Sequence, residues 1–224
     1  MTNEENQSPT VAVLDIDMTI VCTMNDGDEG ISSDYLHTYY NYKSLRSQLY
    51  LFKMLDNNDI DDSTIYLWGL KRPYLKEFLT YINDNYDYTV IWTAAMKDYA
   101  DAIVSNVLNK MDFTPDLVWS RDECELVSYA GGSLLTKPLS KLSNHFGFSM
   151  NNAILIDDQP YNHVKNSNKS KIQIPQYEPI VQNPVRNDTC LLQLMDWLSE
   201  DRDDNDKIFK DELPDAIPVI NNFL

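Results

Sequence analysis

Asp15 and Asp17 stand two residues apart in the word Asp15-Ile16-Asp17-Met18-Thr19, and a second acidic pair, Asp157-Asp158, lies far downstream. Between them come Thr93, the neighbours Ser120 and Arg121, and Lys137. Most of these residues directly follow a short apolar, β-rich run: TVAVL before Asp15, TVIW before Thr93, DLVW before Ser120, AILI before Asp157. In an open parallel sheet, ligands bind outside the carboxyl ends of the strands, so such residues converge on one edge. Acids left at the ends of buried strands are costly unless a cation compensates them. Mg²⁺ suits one to three carboxylates whose shell is completed by water and phosphate.

Taken singly, each residue has a plainer explanation. An Asp after a strand forms turns or caps helices. Thr93 could be an N-cap for the helix that follows. Lys137 could be a solvated lysine, and Arg121 stands between a surface ion pair and a phosphate contact. The plainer explanations do not account for all of them falling, in order, at the same edge.

The elements that must carry these residues alternate. Thr10–Leu14 forms a buried strand, Ser63–Leu67 a further strand, and Pro73 opens a helix to about Asn85 with Leu75, Phe78, Leu79 and Ile82 on one face. Then follow a strand at Tyr88–Trp92, a helix over Met96–Leu108, a strand at Asp116–Trp119, a helix over Leu139–Phe146, a strand at Asn152–Ile156 and a last helix over Asp188–Leu198. This order implies an α/β fold with a doubly wound parallel sheet. Residues 1–9 form a polar tail, 10–199 the main domain, and 23–62 an insertion or cap after the first strand, with Tyr35–Leu55 compatible with a helix. Residues 200–224 form a tail, first acidic, then apolar.

Composition narrows the function classes. A formal net charge of −17 repels nucleic acid and anionic membranes, and no basic stripe interrupts it, so direct nucleic-acid binding is not expected. No apolar run approaches the ~18 residues of a membrane helix. Cys22, Cys124 and Cys190 show no paired or zinc-like spacing and suit small buried thiols in a reducing compartment. The opening MTNEENQSPT has neither an apolar core nor arginines, so the expectation is an intracellular protein, nuclear or cytoplasmic, without a targeting peptide. His37, His145 and His163 lack ligand spacing and are expected at the surface.

The order DxDxT, strand-end Thr, Lys, strand-end Asp-Asp resembles the motif set of the haloacid dehalogenase superfamily over about residues 10–198. The words VLDIDMTI, KRPYLKEFL, IWTAAMKDYADAIV, TKPLSKL and AILIDDQP narrow this to a resemblance with the phosphatases that act on the C-terminal domain of RNA polymerase II, the NLI-interacting factor-like group. The resemblance implies a Rossmann-like sheet and a Mg²⁺-dependent phosphatase acting on phosphoserine or phosphothreonine in protein. Polymerase C-terminal repeats are the implied substrate. It implies that Asp15 is the nucleophile and forms an aspartyl-phosphate. Asp17 would be the general acid and base. Thr19, Thr93, Lys137 and Arg121 would meet the phosphoryl group, Lys137 also keeping Asp15 ionised. Mg²⁺ would sit on Asp15, the Asp17 carbonyl and Asp157, with Asp158 assisting from outside.

Other chemistries fit less well. Receiver domains place their acidic pair before the phosphorylated Asp, cysteine phosphatases need an arginine six residues after the cysteine, and a P-loop is absent. Two alternatives remain at this point. One is the same chemistry on a small phosphate ester or a nucleic-acid end. The other is a non-catalytic interaction module on the same fold, against which Asp17 stands.

Overall fold

The runs with no polar side chain to offer solvent become the buried strands, and their order along the chain sets the topology. The computed structural model describes residues 9–25, 45–55, 64–129, 132–147, 149–150, 152–179 and 188–199. Its strands are β1 (Val11–Leu14), β2 (Val21–Asn25), β3 (Leu49–Leu55), β4 (Thr64–Lys71), β5 (Tyr88–Trp92), β6 (Leu117–Trp119), β7 (Glu125–Tyr129), β8 (Gly132–Thr136), β9 (Ala153–Asp157) and β10 (Lys171–Gln173). Its α-helices are α1 (Leu75–Asn85), α2 (Lys97–Ile103), α3 (Ser140–Phe146) and α4 (Cys190–Ser199).

Five strands form the central sheet in the order β10-β9-β1-β5-β6, and every neighbouring pair is parallel. Successive side chains point to opposite faces. Ala12, Leu14, Ile91 and Ile156 face one layer with Phe78, Leu79 and Ile82 of α1, Ile103 of α2, and Leu191 and Leu194 of α4. Val11, Val13, Val90, Trp92 and Leu155 face the other layer with Leu142 of α3. Both faces are therefore covered, as a parallel sheet requires. Helix α1 is held by the stripe Leu75, Phe78, Leu79 and Ile82. At ~1.5–3 kcal/mol for each buried large side chain, that stripe contributes at most about 12 kcal/mol before entropy is counted. β1 lies at the centre, with β5 on one side and β9 on the other, which opens a crevice beyond its carboxyl end.

The segment after β1 differs from the sequence expectation. Leu49–Leu55 is a strand and not part of a helix, because Tyr50 and Phe52 are buried on one face while Leu51 and Lys53 are exposed on the other, a period of two. Residues 35–44 of that expected helix lie outside the described residues, as does His37. The strand expected at Ser63–Leu67 runs over Thr64–Lys71 and belongs to a separate antiparallel sheet of order β2-β4-β3, which extends from Val21 to Lys71. Gly69 is required there: a Cβ would collide with the Cys22 carbonyl and the Tyr50 ring.

Three smaller differences follow. The helix over Met96–Leu108 is α-helical only through Ile103 and then widens into a π-turn at Val104–Leu108. The long connection from Arg121 to Lys137 contains the hairpin β7–β8, which returns the chain to the site. His163 is buried at 3% exposure, contrary to the surface expectation, because the short helical turn Pro160–His163 packs it under the end of β9. His145 is exposed as expected, and among the described residues no helix is long and apolar enough to cross a membrane.

Candidate active site

Asp15 is the first residue beyond β1 and remains in the sheet register, its N–H donating to the Ile156 carbonyl at 3.0 Å. The chain then turns sharply. The Ile16 carbonyl accepts from Ile20 and Val21 N–H at 3.0 and 3.1 Å, and Met18 takes a left-handed φ of 59°. That conformation is unfavourable for a residue with a Cβ. It is held from both sides, since Met18 N–H donates to Val21 and its carbonyl accepts from Tyr177 N–H at 2.7 Å.

The turn sets Asp15 against Asp157, the last residue of β9, and Asp158 beside it. Carboxylate oxygens of all three buried acids lie within 4.8 Å of one another. Lys137, just past β8 and with no exposed surface, donates to Asp15 Oδ1 and, at 2.6 Å, to Asp157 Oδ2. The lysine that could have been a solvated one is thus the central cation of a buried cluster. Its own carbonyl accepts from Asn166 Nδ2 at 2.9 Å, and its N–H donates to the Asn162 carbonyl at 3.1 Å. Asn162 Nδ2 in turn reaches both oxygens of Asp157 at 3.0 and 2.9 Å.

Asp158 is fastened by a different set. Thr19 Oγ1 donates to Asp158 Oδ1 at 3.1 Å and accepts from the Asp158 N–H at 3.1 Å. Gln159 and Gln176 both donate to Oδ2, at 2.5 and 2.9 Å. Thr19 therefore serves the acidic pair. Behind it, the buried Arg72 holds the Thr19 carbonyl with Nη1 at 3.0 Å and Asp188, at the start of α4, with Nε and Nη2 at 3.1 Å.

Three expected residues stand outside the cluster. Asp17 is not part of the triad; its Oδ1 accepts from the Tyr99 hydroxyl of α2. Thr93 is buried at the end of β5, where its Oγ1 accepts from Ala95 N–H at 3.1 Å, leaving its own proton to donate. Arg121 is exposed, and its Nε donates to the Ala94 carbonyl at 2.8 Å, so it braces the loop after Thr93.

The electrostatics of the cluster favour a further cation. Burial pushes Asp15 well above the usual carboxylate range; Lys137 opposes this, but Asp157 and Asp158 add to it. Lys137 is thus the one group in the cluster that favours the ionised form of Asp15. Burial also raises Asp17, against the Tyr99 hydrogen bond, and pushes Asp158 up to about 6, with Asp157 assisting. Burial pulls Lys137 down, but Asp15 and Asp157 outweigh it and hold the ammonium above its ordinary value. Three carboxylates against one ammonium leave two negative charges when all are ionised. A hard divalent cation matches both that charge and the all-oxygen donor set.

Arg72, Tyr99, Asn162 and Gln176 were not singled out as site residues from sequence. Arg72 and Tyr99 lie inside the words KRPYLKEFL and IWTAAMKDYADAIV, and that was the available signal; a lone Asn or Gln carries none.

Comparison with known proteins agrees with this arrangement. The profile of the family described as NLI interacting factor-like phosphatase matches residues 10–208. Nuclear envelope morphology protein 1 of Saccharomyces cerevisiae is 30% identical over 131 residues, covering 57% of this chain and 28% of that protein. The putative CTD phosphatase-like protein 355R of Invertebrate iridescent virus 3 is 30% identical over 104 residues, 46% of this chain and 47% of that protein. The chain thus spans less than half the length of these relatives. Among solved structures, the RNA polymerase II CTD phosphatase Fcp1 shares the fold with a TM-score of 0.55 at 22% identity, over 78% of this chain and 44% of that one. A fission yeast Fcp1 bound to beryllium fluoride matches equally, with a TM-score of 0.55 at 24% identity over 78% of this chain and 43% of that one. With nearly nine-tenths of its length inside the family profile, the chain belongs to the NLI interacting factor-like phosphatases of the haloacid dehalogenase superfamily.

Proposed function

We propose that this chain hydrolyses phosphoserine or phosphothreonine in protein in a Mg²⁺-dependent reaction through an aspartyl-phosphate on Asp15. The observation that carries the reading is the fully buried Lys137 between Asp15 and Asp157, inside a triad whose charge calls for a divalent cation. Asp15 and Asp157, with the Asp17 carbonyl, would hold Mg²⁺, and Asp158, fastened by Thr19, Gln159 and Gln176, would assist from outside. When bound, the ion supplies charge stabilisation at the transferring phosphoryl group.

In the first step a carboxylate oxygen of Asp15 attacks phosphorus, the bond to the ester oxygen breaks, and Asp17 gives that oxygen a proton. In the second, water attacks the aspartyl-phosphate, Asp17 takes the proton, and the bond from phosphorus to Asp15 breaks to release inorganic phosphate. Lys137 offsets charge on Asp15 and on the phosphoryl oxygens, and Thr93 donates to one of them. Arg121 serves by bracing the loop that carries Thr93. A phosphorylated protein is the partner, and the names of the viral relative and of Fcp1 support the RNA polymerase II C-terminal domain as the first to try. The yeast relative's name favours a nuclear setting among intracellular ones.

The test is phosphate release from a panel of phosphopeptides, polymerase repeats included, in Mg²⁺ and in EDTA. Wild type should turn over only with Mg²⁺, and Asp17→Asn should lose turnover by at least ~10²-fold while still gaining thermal stability from Mg²⁺. Release unaffected by EDTA, or none from any peptide, would sink the proposal.

A further inference from the structure

Asp17 is tied to the small sheet by a row of hydroxyls. Thr23 of β2 pairs with Gly69 of β4, and Gly69 with Tyr50 of β3, so the three lie side by side on one face. Because Gly69 carries no side chain, the Tyr50 ring lies across that position and its hydroxyl meets Thr23 Oγ1 at 2.6 Å. Thr23 Oγ1 meets the Tyr99 hydroxyl at 2.5 Å, and Tyr99 donates to Asp17 Oδ1. Donor counting gives the row one direction. With Asp17 ionised its oxygen has no proton to give, so Tyr99 donates to it; each hydroxyl owns a single proton, so Thr23 donates to Tyr99 and Tyr50 to Thr23, and a proton that Asp17 then takes up goes to the other oxygen. Hydrogen bonds aligned in this way reinforce one another.

Resting on the phosphatase reading above, we propose that the Tyr50–Thr23–Tyr99 row positions Asp17 by committing Oδ1 as an acceptor, which assigns Oδ2 as the oxygen that carries the transferable proton. In the first step the proton on Oδ2 passes to the leaving ester oxygen as its bond to phosphorus breaks. In the second, the proton from the attacking water returns to Oδ2. Tyr99 and Thr23 are positioning residues, since they act through Asp17. The small sheet, whose β3 lies in the stretch that sequence suggested as an insertion, becomes part of the proton-transfer apparatus, and Gly69 is what lets Tyr50 reach it.

The test exploits the leaving group. The seryl oxygen of a phosphopeptide needs a proton to depart, whereas 4-nitrophenolate departs without one. The ratio kcat/KM reports the steps through aspartyl-phosphate formation for both substrates. Tyr99→Phe should lower kcat/KM for a phosphoseryl peptide by about tenfold and for 4-nitrophenyl phosphate by no more than about twofold. Thr23→Val should show the same split, smaller, and Tyr50→Phe the smallest; if Tyr99→Phe does not fold, the split in Thr23→Val decides. Equal losses on both esters would mean a structural role and overturn the inference. So would no loss on either, with Asp17→Asn still inactive on the peptide, and in that case the phosphatase reading stands. Wild type inactive on both esters in Mg²⁺ overturns the two together.

Discussion

Replacing Lys137 by methionine keeps an unbranched side chain of similar reach and removes the charge and the donor hydrogens together, so it isolates what the ammonium does. Lys137 has no exposed surface and Asp15 almost none, and the same ammonium also serves Asp157. Removing one partner of a buried ion pair costs about 3–5 kcal/mol because the other charge stays behind uncompensated. For a chain of this size ~1 kcal/mol moves Tm by roughly 2–4 °C. In EDTA at neutral pH, Lys137→Met should therefore unfold roughly 6–20 °C below wild type, read by circular dichroism. The deficit has to shrink in Mg²⁺, since the emptied site is more negative and binds the cation more tightly; a ligand at 100 times its Kd stabilises by about 2.7 kcal/mol. The deficit also has to shrink as acidification neutralises the triad, because the stranded acids then carry no charge. Turnover, unlike stability, should not return with Mg²⁺ and should stay down about 10²–10³-fold. Equal melting of variant and wild type in EDTA, with equal gains from Mg²⁺, would refute the electrostatic account of the cluster.

Two further outcomes follow from the same geometry. Burial, then Asp157, raises the Asp158 carboxyl from its ordinary 3.8 to about 6, so in EDTA the folded protein binds its proton more tightly than the unfolded chain does. That contribution is fully present below 3.8 and is lost as pH rises through about 6. Between these limits wild type should lose about 3 kcal/mol relative to Asp158→Asn, measured by urea unfolding at each pH; parallel pH curves for the two would contradict it. Arg72→Met should cost about 3 kcal/mol, toward the lower end for a broken buried pair because Asp188 is 18% exposed. Adding Asp188→Asn should then cost little more, and strictly additive losses in that double-mutant cycle would show that the pair is not coupled.

What the sequence made visible depended on locality. Asp15 and Asp157 follow strands whose apolar runs are unbroken, so the sheet, its parallel sense and the edge where the acids meet could all be reasoned from four short words. Helix α1 was equally plain, because its stripe repeats at helical spacing. The small sheet was not. β2 and β3 acquire their alternation only once β4 lies between them, and part of the segment that joins them lies outside the described residues. Lys137 was recognisable only by its order in the chain, since nothing in TKPL says that the ammonium is buried or that the β7–β8 hairpin carries it inward.

The contacts that could not be read share one property: each closes a large gap in sequence. Thr19 and Asp158 are 139 residues apart, Lys137 and Asp15 122, Arg72 and Asp188 116, Tyr99 and Asp17 82. Closing such loops costs conformational entropy that polar contacts alone do not offset, so these pairs form only after the parallel sheet has brought the strand ends together. The strands are specified by apolar patterning and bear the cost of assembly, whereas the polar groups at their ends are free to be chosen for chemistry. This is why Met18 can sit at a left-handed φ and three acids can be gathered beside one lysine: the layers on either side of β1 hold the turn in place. A substitution in the buried stripe of α1 should therefore remove stability and activity together, whereas Asp17→Asn, at the end of the same framework, should remove only activity.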